Sequence, residues 1–164
     1  MENCDRKYMM LALSAARQAE ERGEVPVGAV IISGGEIVGT GYNRREEQQD
    51  PLGHAEMIAI REASRRFRSW RLEDCDIFVT LEPCIMCAGA ILQARMRRLV
   101  FGCLDPKAGA VESLYRLCED ARLNHQLPAT GGVLAEESAA MLADFFTRLR
   151  LQKRHTNGEV AEPG

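Results

Sequence analysis

The chain has 164 residues, 46% apolar and 27% charged, with a formal net charge of −3. That is one domain with material for a real core, and no apolar run approaches the ~20 residues of a membrane span. The acidic balance excludes nucleic-acid binding through bulk charge, and the polar start, Met1 to Lys7, lacks a long apolar follow-on, so a cytoplasmic protein without a signal peptide is expected.

Tyr8, Leu11, Ala12, Ala15 and Ala19 recur at helical spacing and stop at Gly23, predicting a first amphipathic helix. Val27 to Ile32 is β-branched and apolar and reads as a buried strand. Ser33-Gly34-Gly35 is a turn, and Glu36 to Tyr42 is the return strand of a hairpin. Asn43 to Gln49 is polar and reads as a loop, closed by Asp50-Pro51. His54 to Phe67 reads as a helix with Met57, Ile58, Ile60 and Ala63 on its apolar side. Cys75 to Thr80 is a strand, Cys84 to Ala94 a helix rich in small residues, and Arg98 to Phe101 the next strand. Strand, helix and strand in so few residues make a right-handed parallel crossover. Gly102 to Gly109 reads as a loop and Val111 to Cys118 as a short helix. Asn124 to Thr130 is a weak edge strand, because Pro128 argues against a central one. Met141, Leu142, Phe145, Phe146 and Leu149 line a long final helix. The domain is expected over residues 1–155, with 156–164 a flexible polar tail.

Two motifs carry the chemistry. His54-Ala55-Glu56 is followed by Pro83-Cys84-Ile85-Met86-Cys87. A neutral imidazole and two thiolates are ligands that suit Zn²⁺, and the two thiolates balance its charge. Three protein ligands, His54, Cys84 and Cys87, leave a tetrahedral position for water, which is the pattern of a catalytic zinc. C-x-x-C alone would also fit a redox pair or a structural zinc knuckle. With H-x-E upstream it is the signature of the zinc-dependent nucleobase deaminases. Residues two apart on a regular helix point roughly 200° apart. His54 and Glu56 therefore share one site only if His54 sits at the irregular start of its helix. Pro83 fits the first helical position of the next one.

Glu56 is placed to take a proton from the attacking water, deliver it to a ring nitrogen and help protonate the departing ammonia. A carboxylate that accepts and then donates works best with a pKa raised by a dry pocket. His125 and His155 lack motif context, and Cys4, Cys75, Cys103 and Cys118 are scattered as small hydrophobes or free thiols. Arginines cluster at Arg61–Arg71, at Arg95–Arg98 and, with Lys153, at Arg148–Arg154. Each cluster reads as solvated surface or as a patch for an anionic substrate.

The motifs extend further. Gly28-Ala29-Val30, Gly41-Tyr42-Asn43, Leu81-Glu82-Pro83-Cys84-Ile85-Met86-Cys87-Ala88-Gly89-Ala90, Phe101-Gly102 and Asp105-x-Lys107-x-Gly109 resemble the bacterial tRNA-specific adenosine deaminases, from about Tyr8 to Arg150. The resemblance implies a three-layer α/β/α cytidine-deaminase-like fold with a five-stranded mixed sheet. It implies one zinc per subunit, a homodimer, and a tRNA anticodon arm lying across both subunits. The implied reaction is deamination of the wobble adenosine to inosine in an arginine tRNA. By the same resemblance Asn43 holds the flipped base, Asp105 handles the flanking nucleotide, and Asn124 lies near the nucleotide path. The final helix, through Arg148, Arg150, Lys153 and Arg154, reaches the RNA backbone. Leu52-Gly53, Leu104 and Pro106 depart from the family pattern beside the pocket.

Two other readings stand beside this one. A free-base guanine or cytosine deaminase would share the cysteine motif but not need a basic final helix. A zinc-stabilised silent subunit would typically lack the acid/base glutamate, which is present here.

Overall fold

A computed structural model describes residues 2–158. The elements are α1 (Glu2–Glu21), β1 (Gly28–Ser33), β2 (Glu36–Tyr42), α2 (Arg45–Gln48), α3 (Ala55–Phe67), β3 (Cys75–Leu81), α4 (Ile85–Gln93), β4 (Arg98–Cys103), β5 (Ala129–Thr130) and α5 (Ala135–Gly158). The five strands form one sheet in the order β2-β1-β3-β4-β5. β1 is antiparallel to both β2 and β3, whereas β3, β4 and β5 run parallel, so the sheet is mixed. β3-α4-β4 is the expected crossover.

Alternation along the strands sorts the core into two layers. Ala29, Ile31, Ile77, Val79, Leu99 and Phe101 face α3 and α4. Val30, Ile32, Phe78 and Val100 face the other way, onto Met9, Ala12 and Leu13 of α1, with Met141 of α5 packed alongside. Successive strand residues point to opposite faces, so a strand covered on both sides reads as one continuous apolar run. Phe78 and Phe101 are among the largest fully buried side chains, each worth roughly 1.5–3 kcal/mol of burial. At the start of β4, Arg98 donates to both carboxylate oxygens of Asp5 on α1 and to Asp76 on β3, tying helix to sheet.

The sheet holds α3 very closely. A Cβ on Gly41 would lie 2.1 Å from the Ala55 carbonyl oxygen, and one on Gly39 would lie 2.4 Å from that of Ala59. Two glycines on one strand thus let the α3 backbone rest against β2, which fixes where the start of α3 falls.

Several local expectations change. Arg45–Gln48 is a single helical turn where polarity suggested a loop. Residues 111–118 are mostly turn, with a 3₁₀ turn at Leu117–Glu119. β5 shrinks to Ala129–Thr130 at the sheet edge, as Pro128 implied. α5 runs through Gly158, so 156–158 are helical, and residues 159–164 of the expected tail lie outside the described residues.

Candidate active site

The site forms where the starts of two helices meet. His54 is the residue before α3 and has an extended backbone, φ −82° and ψ 151°. Cys84 holds the same position before α4, φ −72° and ψ 175°. The required irregular start of α3 is therefore present. Pro83 stands two residues before the first helical position expected for it, outside the helix, because Cys84 occupies the capping position and Ile85 opens the helix. Neither His54 nor Cys84 caps its own helix with its side chain, so both are free to face each other.

His54 Nδ1 lies 3.6 Å from Cys84 Sγ and 3.5 Å from Cys87 Sγ. Zinc bonds of ~2.3 Å to sulfur and ~2.0–2.1 Å to nitrogen, at tetrahedral angles, place N and S about 3.5–3.6 Å apart. The donors already have that spacing. Among the described residues, His54, Cys84 and Cys87 are the one group of three such side chains close enough to hold an ion. Glu56 is not in it.

The electrostatics agree. The Cys87 thiol donates to Cys84 and, with His54 alongside, brings the Cys84 thiol down to about 4 against the cost of burial. The bond to Cys84 and its own burial push Cys87 the other way. A thiol must give up its proton to ligate a divalent cation, so metal binding here is coupled to proton release. His54 is raised, first by its bond to Cys84. Glu56, in the first turn of α3 and 4% exposed, is raised chiefly by burial.

A cleft of about 220 Å³ opens over these groups, lined by Val25, Val27, Asn43, Arg45, Leu81, Glu82, Asp105 and Ala108 as well as His54, Glu56 and Cys84. It is smaller than the ~300–1,000 Å³ of pockets for drug-sized ligands, which suits one flat heterocycle. Asn43 is held by both ends of its amide. Its Oδ1 accepts from Arg45 N–H at 3.2 Å and its Nδ2 donates to Val25 C=O at 3.2 Å. One N–H and one lone pair remain for a ligand. Asp105 Oδ1 accepts from the N–H groups of Lys107 and Ala108, folding its own loop.

Other expected residues are not brought here. Asn124 is exposed in the turn before β5 and does not line the cleft, because the chain reaches β5 along the sheet edge. Arg148, Arg150, Lys153 and Arg154 are exposed on α5. Arg148 donates to the Glu20 carboxylate of α1, and Arg150 donates to Thr147 Oγ1 at 3.4 Å. His125 bonds Met96 C=O at 2.8 Å, and Cys4, Cys75, Cys103 and Cys118 are free thiols.

Arg45 and Glu82 are site residues that the sequence motifs did not single out. Glu82 is 2% exposed. Burial pushes its carboxyl up, but the Ser113 hydroxyl and the N–H groups of Asp105, Glu112 and Ser113 outweigh burial and leave it lowered. Its position in Leu81-Glu82-Pro83 was the available signal, since a carboxylate between a buried strand and a ligand cysteine has nowhere exposed to go.

Comparison with known proteins gives the same picture. Residues 2–103 match the cytidine and deoxycytidylate deaminase zinc-binding region. A tRNA-specific adenosine deaminase of Bacillus subtilis (strain 168) is 45% identical over 158 residues, 96% of this chain and 98% of that protein. A structure from a study of A-to-I editing by tRNA:A34 deaminases at the wobble position superposes with a TM-score of 0.80 and 45% identity, covering 83% of this chain and 99% of the other. A guanine deaminase from Nitrosomonas europaea superposes at 0.74 with 20% identity, covering 85% and 83%, and shares the fold.

Proposed function

The chain belongs to the cytidine and deoxycytidylate deaminase family, and within it to the tRNA-specific adenosine deaminases, and from that membership we propose its reaction and the roles of its residues. The reaction is hydrolysis of adenosine to inosine and ammonia at the wobble position of a tRNA anticodon, with an arginine tRNA as substrate. The observation that carries it is the zinc-spaced His54–Cys84–Cys87 cluster beside a buried Glu56, in a chain 45% identical to such a deaminase over nearly its full length.

His54, Cys84 and Cys87 would hold the zinc, which when bound supplies an acidified water as nucleophile. Glu56 takes the proton from that water and passes it to the purine ring nitrogen next to the amino-bearing carbon. Now a carboxylate again, Glu56 takes the second proton from the hydroxyl that has added to the ring carbon and gives it to the amino group, which leaves as ammonia while the carbonyl forms. Burial suits Glu56 to this exchange, because a raised pKa lets it hold the proton between the two transfers. Asn43, with its amide fixed by Val25 and Arg45, offers its remaining N–H and lone pair to the base edge. Asp105 and its loop meet the neighbouring nucleotide. An anticodon loop base is already largely unpaired, so turning it into the cleft costs little.

A tRNA substrate supports a cytoplasmic enzyme. No helix of the described residues is long and apolar enough to cross a membrane. We infer a homodimer, with the anticodon arm across both subunits. Leu52, two residues before His54, and Ile85 and Leu104, adjacent to Cys84 and Asp105, are exposed apolar residues. Apolar surface beside a site is what a second subunit or a stacked base covers.

The test is incubation of the zinc-loaded chain with unmodified arginine tRNA carrying an ACG anticodon, followed by analysis for inosine. Inosine at the wobble position is expected. Deamination of free guanine or cytosine, with none of the tRNA, would replace this reading by a free-base deaminase.

A further inference from the structure

Glu82 is a buried carboxylate that none of the ion pairs among the described residues includes. A buried charge without a counter-charge costs several kcal/mol unless its oxygens are fully hydrogen-bonded. Here five neutral donors converge on it. Oε1 accepts from the N–H groups of Val111 at 3.2 Å, Glu112 at 2.7 Å and Ser113 at 2.8 Å. Oε2 accepts from Asp105 N–H at 2.9 Å and from the Ser113 hydroxyl at 2.5 Å. An ionised carboxylate has about four lone-pair sites, so this one has no capacity left for a substrate.

All five donors come from a single loop, Asp105–Ser113, which the carboxylate gathers at both ends. Between those ends the backbone wraps so closely that a Cβ on Gly109 would lie 2.2 Å from the carboxylate carbon. The turn containing Glu82 adds three more ties. Glu82 N–H donates to Cys103 C=O at 2.9 Å, Ala110 N–H donates to Pro83 C=O at 2.8 Å, and Cys84 forms a β-bridge with Gly109. One turn therefore delivers the ligand Cys84 and anchors the loop whose Asp105 and Ala108 wall the cleft.

A plug for this space would need no charge. An apolar side chain would fill it without the desolvation cost, but would leave the N–H groups of residues 105 and 111–113 unpaired and the loop free to open. We propose that Glu82 is a positioning residue for the deamination, its carboxylate being the template on which the Asp105–Ser113 loop closes so that Asp105 meets the nucleotide beside the reacting base. This rests on the deaminase reading above and names how that site is held in register with its metal ligands.

The test compares wild type, Glu82→Gln, Asp105→Ala, the double variant and Ser113→Ala on an anticodon stem-loop, with zinc content and melting temperature measured on each. In Glu82→Gln the favourable amide orientation keeps the carbonyl on the three N–H groups of 111–113. It turns the NH₂ toward Asp105 N–H and frees that end of the loop. Expected is one zinc per chain, a folded protein at the assay temperature, and a fall in kcat/KM of about 10²-fold, the scale of an ångström-sized misplacement. The double variant should be no slower than the worse single one, because residues acting through one another are not additive. Losses that multiply would show that Glu82 does not act through Asp105, and would overturn the proposal. So would normal turnover in Glu82→Gln. If that variant fails to fold or to hold zinc, Ser113→Ala decides, since it removes one donor of five and leaves the charge. It should lose several-fold in kcat/KM with zinc and melting unchanged, and full activity there would overturn the proposal. Zinc-loaded wild type that made no inosine would remove the deaminase reading and this inference together, whereas active wild type with equally active variants removes this inference alone.

Discussion

His54 Nδ1 stands 3.5 Å from Cys87 Sγ, although thirty-three positions separate them in the chain. The contact exists because α3 and α4 both start at the same end of the sheet, where β2 and β3, each antiparallel to the β1 that separates them, both finish. The helix starts also bring the positive ends of two backbone dipoles to the sulfurs, where negative charge is favoured. A metal site built on two helix starts depends on where each helix rests.

Zinc should be present at about one ion per chain by elemental analysis, and Cys84→Ala should lose it. Because metal binding draws on the folded arrangement of its ligands, the same variant should also melt at a lower temperature, and added zinc should not restore it. A Cys84→Ala protein that kept both its zinc and its melting temperature would remove Cys84 from the ligand set.

Glu56→Gln should keep zinc and RNA binding and lose turnover by at least ~10²–10⁴-fold, the range for a lost acid/base. The wild type should show a matching pH dependence. Glu56 must be ionised to take the first proton, and burial raises its pKa. Activity should therefore fall on acidification with a midpoint above the ~4.3 of an ordinary glutamate. The midpoint belongs to the coupled site rather than to Glu56 alone. A profile flat down to that value would show that Glu56 is not the base.

Much of this was legible in the sequence, for identifiable reasons. The H-x-E and C-x-x-C motifs give the ligand types directly, and the two-residue offset of His54 from Glu56 forces His54 to the helix start, where it lies. The buried strands show as apolar runs because helices cover both their faces. What failed was governed by contacts from elsewhere in the chain. Residues 111–113 do not form the expected helix because their N–H groups are turned onto Glu82, some thirty positions earlier. Arg45–Gln48 makes a helical turn, which local polarity did not signal, and there Glu47 N–H meets the buried Glu24 carboxylate at 2.5 Å. The pairing of Arg148 with Glu20 across 128 positions is a contact no local pattern signals, and it leaves the expected role of Arg148 untested.

Gly41→Ala should damage the site from outside it. The added methyl would meet the backbone of Ala55 and Ala59, with the nearest atom at 2.1 Å, and neither can swing aside as a side chain would. α3 must shift, carrying His54 and Glu56 with it. Overpacking of this kind costs typically 1–3 kcal/mol, and a chain of this size loses roughly 2–4 °C of melting temperature per kcal/mol. Zinc titration should show weaker binding alongside the lower melting point. If both were unchanged, the close seat of α3 on β2 would not be what sets the ligand geometry.

The end of α5 should contact RNA phosphates without reading sequence. Phe145 is buried and anchors the helix, while Arg150, Lys153 and Arg154 project from its exposed end. Arg148 is set apart from these because its guanidinium is engaged by Glu20. Each lost phosphate contact weakens binding to every sequence alike and lowers the slope of log affinity against log salt by about one unit, less for single strands. Changing Arg150, Lys153 and Arg154 together to Ala should therefore flatten the salt dependence of tRNA binding by up to roughly three units. Zinc content and melting should stay as in the wild type, since these side chains leave the core untouched. An unchanged slope and affinity would mean that this helix end only packs. The backbone footprint would then fall to another basic stretch, such as Arg61 to Arg71 along and beyond α3, and the same salt measurement on variants there would locate it.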